Sequence, residues 1–167
     1  AIIFMSNGWH NTAPAPQSYV SQCKDLGIPI YTVGLGSSSY YVNEALLKWM
    51  SEQTGGTYLF APSLDELQNI FIRFELESAG WSPVEEFTGT VGEGQTVTAG
   101  TFTVNQETTF IRASLNWPGS NLDLILLQPD GSQLDFEAAN VIYSGPDSKP
   151  EWVIISEPQA GAWTVQV

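Results

Sequence analysis

Positive charge is scarce in this sequence. Five Lys and Arg stand against 18 Asp and Glu, giving a formal net charge of −13 at pH 7. Binding to phosphate backbones and anionic lipid depends on clustered Lys and Arg, so no nucleic acid is expected among the partners. Long apolar runs are also missing. None approaches the roughly 18 residues of a membrane-spanning helix, so this segment is not expected to insert in a bilayer. The acidic residues are scattered and not blocked, which describes a hydrated surface more than a cation trap. Cys23 is the only cysteine, which rules out an internal disulfide. It falls on a helical apolar spacing, where a small buried residue is expected. His10 is the only histidine. With no second His and no nucleophile elbow, a Ser-His-Asp set or a His-paired metal site lacks its parts. The N-terminus lacks the basic residues of a signal peptide, so any targeting information lies outside these residues.

What is present is aromatic and apolar: six Trp, six Tyr and eight Phe within an apolar fraction of 43%, enough for at least one packed core. At 167 residues the chain can form one domain or two small ones, at roughly 100–200 residues each. Residues 1–80 alternate short apolar runs with helical patterns. "AIIFM" leads directly into Ser6-Asn7-Gly8. In "APAPQSYVSQCKDLG", Val20, Cys23 and Leu26 share a helical face closed by Gly27. "IPIYTVGLG" is β-branched and uncharged, as a buried parallel strand requires. "VNEALLKWMSEQTGG" carries a stripe at Val42, Ala45, Leu46, Trp49 and Met50. "TYLFAP" is a further short strand, and "SLDELQNIFIRF" opens on a capping box, Ser63 and Glu66, with Leu67, Ile70, Phe71 and Phe74 on one side. This order predicts an α/β domain over residues 1–80, with a parallel sheet and flanking helices. Three strands and three helices would leave one side of the first strand uncovered, so a further segment is expected to complete the sheet.

After Gly80 the period changes. "ESAGWSPVEEF" has linker composition, and short alternating segments follow: "FTGTV", "QTVTAGTFTV", "TTFIRASLNW", "LDLILLQP", "EWVIIS" and "AWTVQV". Turn chemistry separates them at Gly92-Glu93-Gly94, Pro118-Gly119-Ser120, Pro129-Asp130-Gly131 and Gly145-Pro146-Asp147. Residues 81–167 are therefore expected to form an all-β antiparallel sandwich, cut short at its C-terminus. Both ends of the chain read as cut from a longer protein.

The run "AIIFMSNG", "GIPIYTVGLG" and "LLKWMSEQTGGTYLFAPSLDELQNIF" resembles the C-terminal half of a von Willebrand factor type A domain, over about residues 1–76. "ASLNWPGSNLDLILLQPDGS" and "PQAGAWTVQV" resemble the sandwiches that follow such domains, as in calcium-activated chloride channel regulators, or that end secreted peptidases. The first resemblance implies a Mg²⁺ or Ca²⁺ site at the C-terminal ends of the strands, built from Asp-x-Ser-x-Ser, a later Thr and the Asp of Thr/Ser-Asp-Gly. Hard cations of this kind take near-octahedral oxygen ligands. Only the third element occurs here, as Ser6-Asn7-Gly8, and Asn replaces Asp, removing a negative charge while keeping a carbonyl oxygen. Ser6 and Asn7 are thus the candidate metal residues, against a plain turn role for Asn7. Trp9 and His10, on the same loop, are candidate binding residues.

Other constellations are weaker. "GLGSSSYY" lacks the Lys and spacing of a phosphate loop and reads as a strand-end turn. Asp123, Asp130 and Asp135 lie near turns, where turn chemistry competes with Ca²⁺ binding. Glu85 and Glu86, adjacent on an expected strand, point to opposite faces. The sequence therefore predicts a non-enzymatic binding or adhesion protein, extracellular or on the cell surface, with a protein ligand or neighbouring subunit as partner. A non-catalytic part of a larger secreted hydrolase and a purely structural, metal-free component are the alternatives.

Overall fold

The computed structural model describes residues 1–9 and 15–167, and of residues 64 and 65 the backbone alone. The chain divides into two compact units, Ala1–Pro83 and Val84–Val167. The first runs β1 (Ile2–Ser6), α1 (Gln17–Asp25), β2 (Ile30–Leu35), a 3₁₀ turn (Ser39–Tyr41), α2 (Glu44–Thr54), β3 (Tyr58–Ala61) and α3 (Leu64–Ser78). Its three strands form a parallel sheet in the order β1-β2-β3, with Ile2 opposite Ile30 and Val33 opposite Leu59.

Strand β2 is buried from Ile30 to Gly34, as a continuous apolar run between two neighbours and under two helix layers should be. On one face Ile30 packs with Val20 of α1, Leu47 and Met50 of α2, and Val42. On the other, Tyr31 and Val33 pack with Ala61 of β3 and with Ile70 and Phe74 of α3. Strand β1 differs. Ile2, Ile3, Phe4 and Met5 are each between 39% and 44% exposed. The register sets Ile2 and Phe4 beside Ile30 and Thr32, and Ile3 and Met5 beside Tyr31 and Val33, so apolar side chains stand open on both faces of the edge strand.

The helices depart from the sequence pattern in physical detail. Leu26 is 72% exposed because α1 ends at Asp25 and the chain turns at Gly27, whose φ is +65°. Cys23 is only partly buried. In α2 the buried residues are Leu47, Met50 and Ser51, while Ala45 is exposed. The helix starts only after Asn43, whose side chain accepts from the Leu46 N–H at 3.2 Å, so Val42 packs as an extended residue outside the stripe. The Ser63 hydroxyl caps α3 by accepting from the Glu66 N–H at 3.2 Å. Phe71 lies toward solvent while Ile70 and Phe74 are buried.

The second unit contains β4 (Thr98–Val104), β5 (Phe110–Leu115), β6 (Ile125–Leu127), β7 (Val141–Tyr143), β8 (Glu151–Ser156) and β9 (Gly161–Gln166). They form two antiparallel sheets, β4-β9-β6 and β5-β8-β7. One core lies between them, centred on Trp163, Leu126, Val153 and Ile155, with Phe102 and Ile111 packed against it. Strand β8 alternates buried and half-buried residues from Glu151 to Ser156, the period-2 pattern of a strand with one face in a core. Two readings fail here. "FTGTV" and the Glu85-Glu86 pair form no strand; the stretch holds two apolar residues around Gly89, too little for a packed face. The short strand β7 goes unread in the sequence because Val141-Ile142-Tyr143 is only three residues long.

Candidate functional site

The loop after β1 leaves the C-terminal end of the parallel sheet, where open α/β sheets present their ligand-binding groups. Its shape comes from two side chains and one main-chain contact. Ser6 Oγ accepts from the Gly8 N–H at 2.9 Å, and Asn7 Oδ1 accepts from the Trp9 N–H at 3.1 Å. The second contact is an Asx turn, the local bond that Asn forms readily. The Asn7 carbonyl accepts from the Asn43 N–H at 2.7 Å, tying the loop to the start of α2. Gly8 is required between them. Its φ is +75°, and a Cβ there would stand 2.8 Å from the Asn43 carbonyl oxygen and 3.1 Å from Leu47 Cγ, a clash on top of a left-handed backbone.

Trp9 is held by its indole N–H, which donates to the Tyr41 carbonyl at 3.1 Å. The rest of the ring is free: Trp9 is 58% exposed and Tyr40 is 84% exposed. A shallow hollow of about 480 Å³ lies beside them, lined also by Ser39, Asn43 and Glu44. Tyr40 and Tyr41 meet edge to face at 5.4 Å. The "GLGSSSYY" stretch supplies this wall as the end of β2 and a 3₁₀ turn capped by Ser38, whose side chain accepts from the Tyr40 N–H.

Tyr58 lies over Gly34, where a Cβ would come within 2.6 Å of its hydroxyl. Burial, together with the Glu44 carboxylate beside it, pushes the Tyr58 phenol up to about 12. Glu44 bonds Lys48 at 2.7 Å. That bond is the main cause holding its carboxyl below the ordinary value, and the Lys48 ammonium also sits 5.2 Å from the Tyr58 ring centre. The nearest carboxylate on this wall is therefore already paired.

Ser6 and Asn7 offer two neutral oxygens, both already accepting hydrogen bonds within their own turn, against the six oxygens that Mg²⁺ takes. By themselves these residues do not fit a Mg²⁺ or Ca²⁺ site. Among the described residues no three His, Cys, Asp or Glu stand together as a metal-holding group. His10 lies outside the described residues. The second unit's aspartates are also dispersed into local roles. Asp130 accepts from the Ser132 hydroxyl and N–H at 2.7 and 2.9 Å, with the hydroxyl contact the larger cause of its lowered pKa. Asp135 accepts from the Glu137 N–H at 3.0 Å.

The residue that sequence reasoning missed is Glu151. It is 0% exposed at the start of β8, in a position where the strand's alternation calls for an apolar side chain. The signal was legible as a Glu on the inward face of "EWVIIS".

No protein-family model matches the chain, and no curated protein matches it either. Among the described residues no helix is long and apolar enough to cross a membrane. Among solved structures, the chain is similar to an uncharacterized membrane spanning protein from Vibrio fischeri, at 27% identity over 44% of this chain, with a TM-score of 0.42. The similarity spans 45% of that protein.

Proposed function

We propose that the Ser6–Trp9 loop is a protein-recognition surface of a non-catalytic, extracellular or cell-surface binding protein whose first unit is a partial type A domain. The observation that carries the reading is Trp9: an indole anchored at one edge by its N–H and otherwise open beside Tyr40. Large, rigid aromatics that are pre-positioned in this way are the usual anchors of protein interfaces. The parallel strand order and the loop's position at the strand ends support the type A resemblance. We infer also that a further strand, from a neighbouring segment or subunit, pairs with β1. The apolar side chains open on both of its faces support that pairing. Any Mg²⁺ or Ca²⁺ at this loop draws its remaining ligands from that segment or from the bound partner.

A second reading, a metal-free structural component, is favoured by one observation: the Ser6 and Asn7 oxygens are spent inside their own turn. Affinity capture from the protein's own extracellular fraction separates the two. Wild type, Trp9→Ala and wild type with a chelator are run side by side. Recognition through the loop predicts a partner retained by wild type and lost with Trp9→Ala. Identical capture by both proteins would leave the structural reading standing.

A further inference from the structure

A carboxylate in the second unit occupies a position that ordinary packing would give to a hydrocarbon. Glu151 opens β8 opposite Leu115 of β5 and is wholly buried. Its Oε2 accepts from the Leu124 N–H at 2.9 Å, just before β6 in the opposite sheet. Its Oε1 is in close contact with the Tyr143 hydroxyl of β7. One side chain thus joins β7 and β8 of one sheet to the strand entry of the other.

The surroundings are acidic. Asp123, next to Leu124, acts on both Glu151 and Tyr143, and Asp147, in the β7–β8 turn, acts on Tyr143. The two cations of this unit, Lys149 and Arg112, each lie over an aromatic ring. Lys149 donates to the Gly119 carbonyl at 3.2 Å and lies 5.2 Å from the Trp117 ring centre. Arg112 of β5 lies 5.1 Å from the Trp152 ring centre. A buried carboxylate whose nearest charges are other acids favours its neutral form.

We propose that Glu151 is a proton-operated clasp between the two sheets of the second unit. With its proton on, the carboxyl accepts from the Tyr143 hydroxyl and the Leu124 N–H without placing a charge in the core. When the proton leaves to solvent, the same contacts must hold an anion beside Asp123, and the clasp weakens.

The direction of the pH effect follows. Burial, the largest cause, raises the Glu151 pKa; the Tyr143 and Leu124 hydrogen bonds pull it down, and Asp123 raises it further. A carboxyl whose pKa is raised in the folded state binds more protons there than in the unfolded chain. Its contribution to stability is therefore fully present below the ordinary carboxylate range and is lost as pH rises through the folded value.

The test is thermal unfolding of the full chain between pH 4.5 and 8.5, read in peptides of residues 84–167 by hydrogen exchange, for wild type, Glu151→Gln and Tyr143→Phe. Gln can accept from Leu124 and donate to Tyr143 without carrying charge. Glu151→Gln should match wild type near pH 4.5 and exceed its Tm by about 4 °C or more at pH 8. A wild-type minus Gln difference that does not change with pH overturns the clasp. Tyr143→Phe keeps the ring stacked on Phe136, now at 4.2 Å, and removes the hydroxyl. Carboxyl-carbon NMR titration of wild type does not depend on any variant folding. A Glu151 midpoint above the ordinary Glu value, rising further in Tyr143→Phe, supports the clasp; a midpoint at or below that value contradicts it.

Discussion

Strands β1 and β8 are both rich in isoleucine, yet they live differently. In β8, Val153 and Ile155 are essentially inaccessible because β5 and β7 pair on either side and the opposite sheet covers the inner face. In β1 every apolar residue from Ile2 to Met5 keeps about two-fifths of its surface, because one edge and part of both faces have no neighbour among the described residues. Composition alone does not bury a strand; its neighbours do. The contrast marks the second unit as self-sufficient in its packing and the first as a sheet with one side open.

The largest effects should fall where neighbours surround a side chain. Trp163→Ala removes the largest fully buried residue of the second unit and should cost about 3–5 kcal/mol, and Ile155→Ala about 2–5 kcal/mol, measured by urea unfolding read in peptides of that unit. In the first unit Gly8→Ala should cost about 1–3 kcal/mol through its strained φ and the Asn43 clash, measured in the same way. Ile3→Ala on β1 should cost less than about 1 kcal/mol, since much of the side chain is already in water; a cost equal to that of Ile155→Ala would erase the contrast between the strands. Trp9→Ala should change stability by no more than about 0.5 kcal/mol while removing partner capture. A large loss of stability instead would make Trp9 a packing residue.

Much of the architecture was legible in the sequence because it is written in period. "IPIYTVGLG" reads as a buried parallel strand, and β2 is one; Ser63 and Glu66 read as a helix start, and α3 begins there. Failures cluster where a one-residue shift decides the face. The α2 stripe centres on Leu47 because Asn43 sets the helix start one residue beyond Val42. Leu26 belongs to a face only if α1 continues past Asp25, and Gly27 ends it. The candidate loop was located through Ser6-Asn7-Gly8, but what its oxygens bind could not be read, since that depends on the backbone N–H groups of Gly8 and Trp9 two residues on. Glu151 escaped because charge normally marks a solvent face, and only the alternation of its strand places it inside.

Amide exchange on the full chain reads the open edge of β1 directly. The Ile2 N–H donates to the Pro29 carbonyl, so in a parallel pairing the N–H groups of Ile3 and Met5 point away from β2, toward the open edge. They should exchange about tenfold or more faster than those of Val153 and Ile155 and become protected when a pairing strand or partner binds. Protection of Ile3 and Met5 equal to that of β8 in the isolated chain would contradict an open edge.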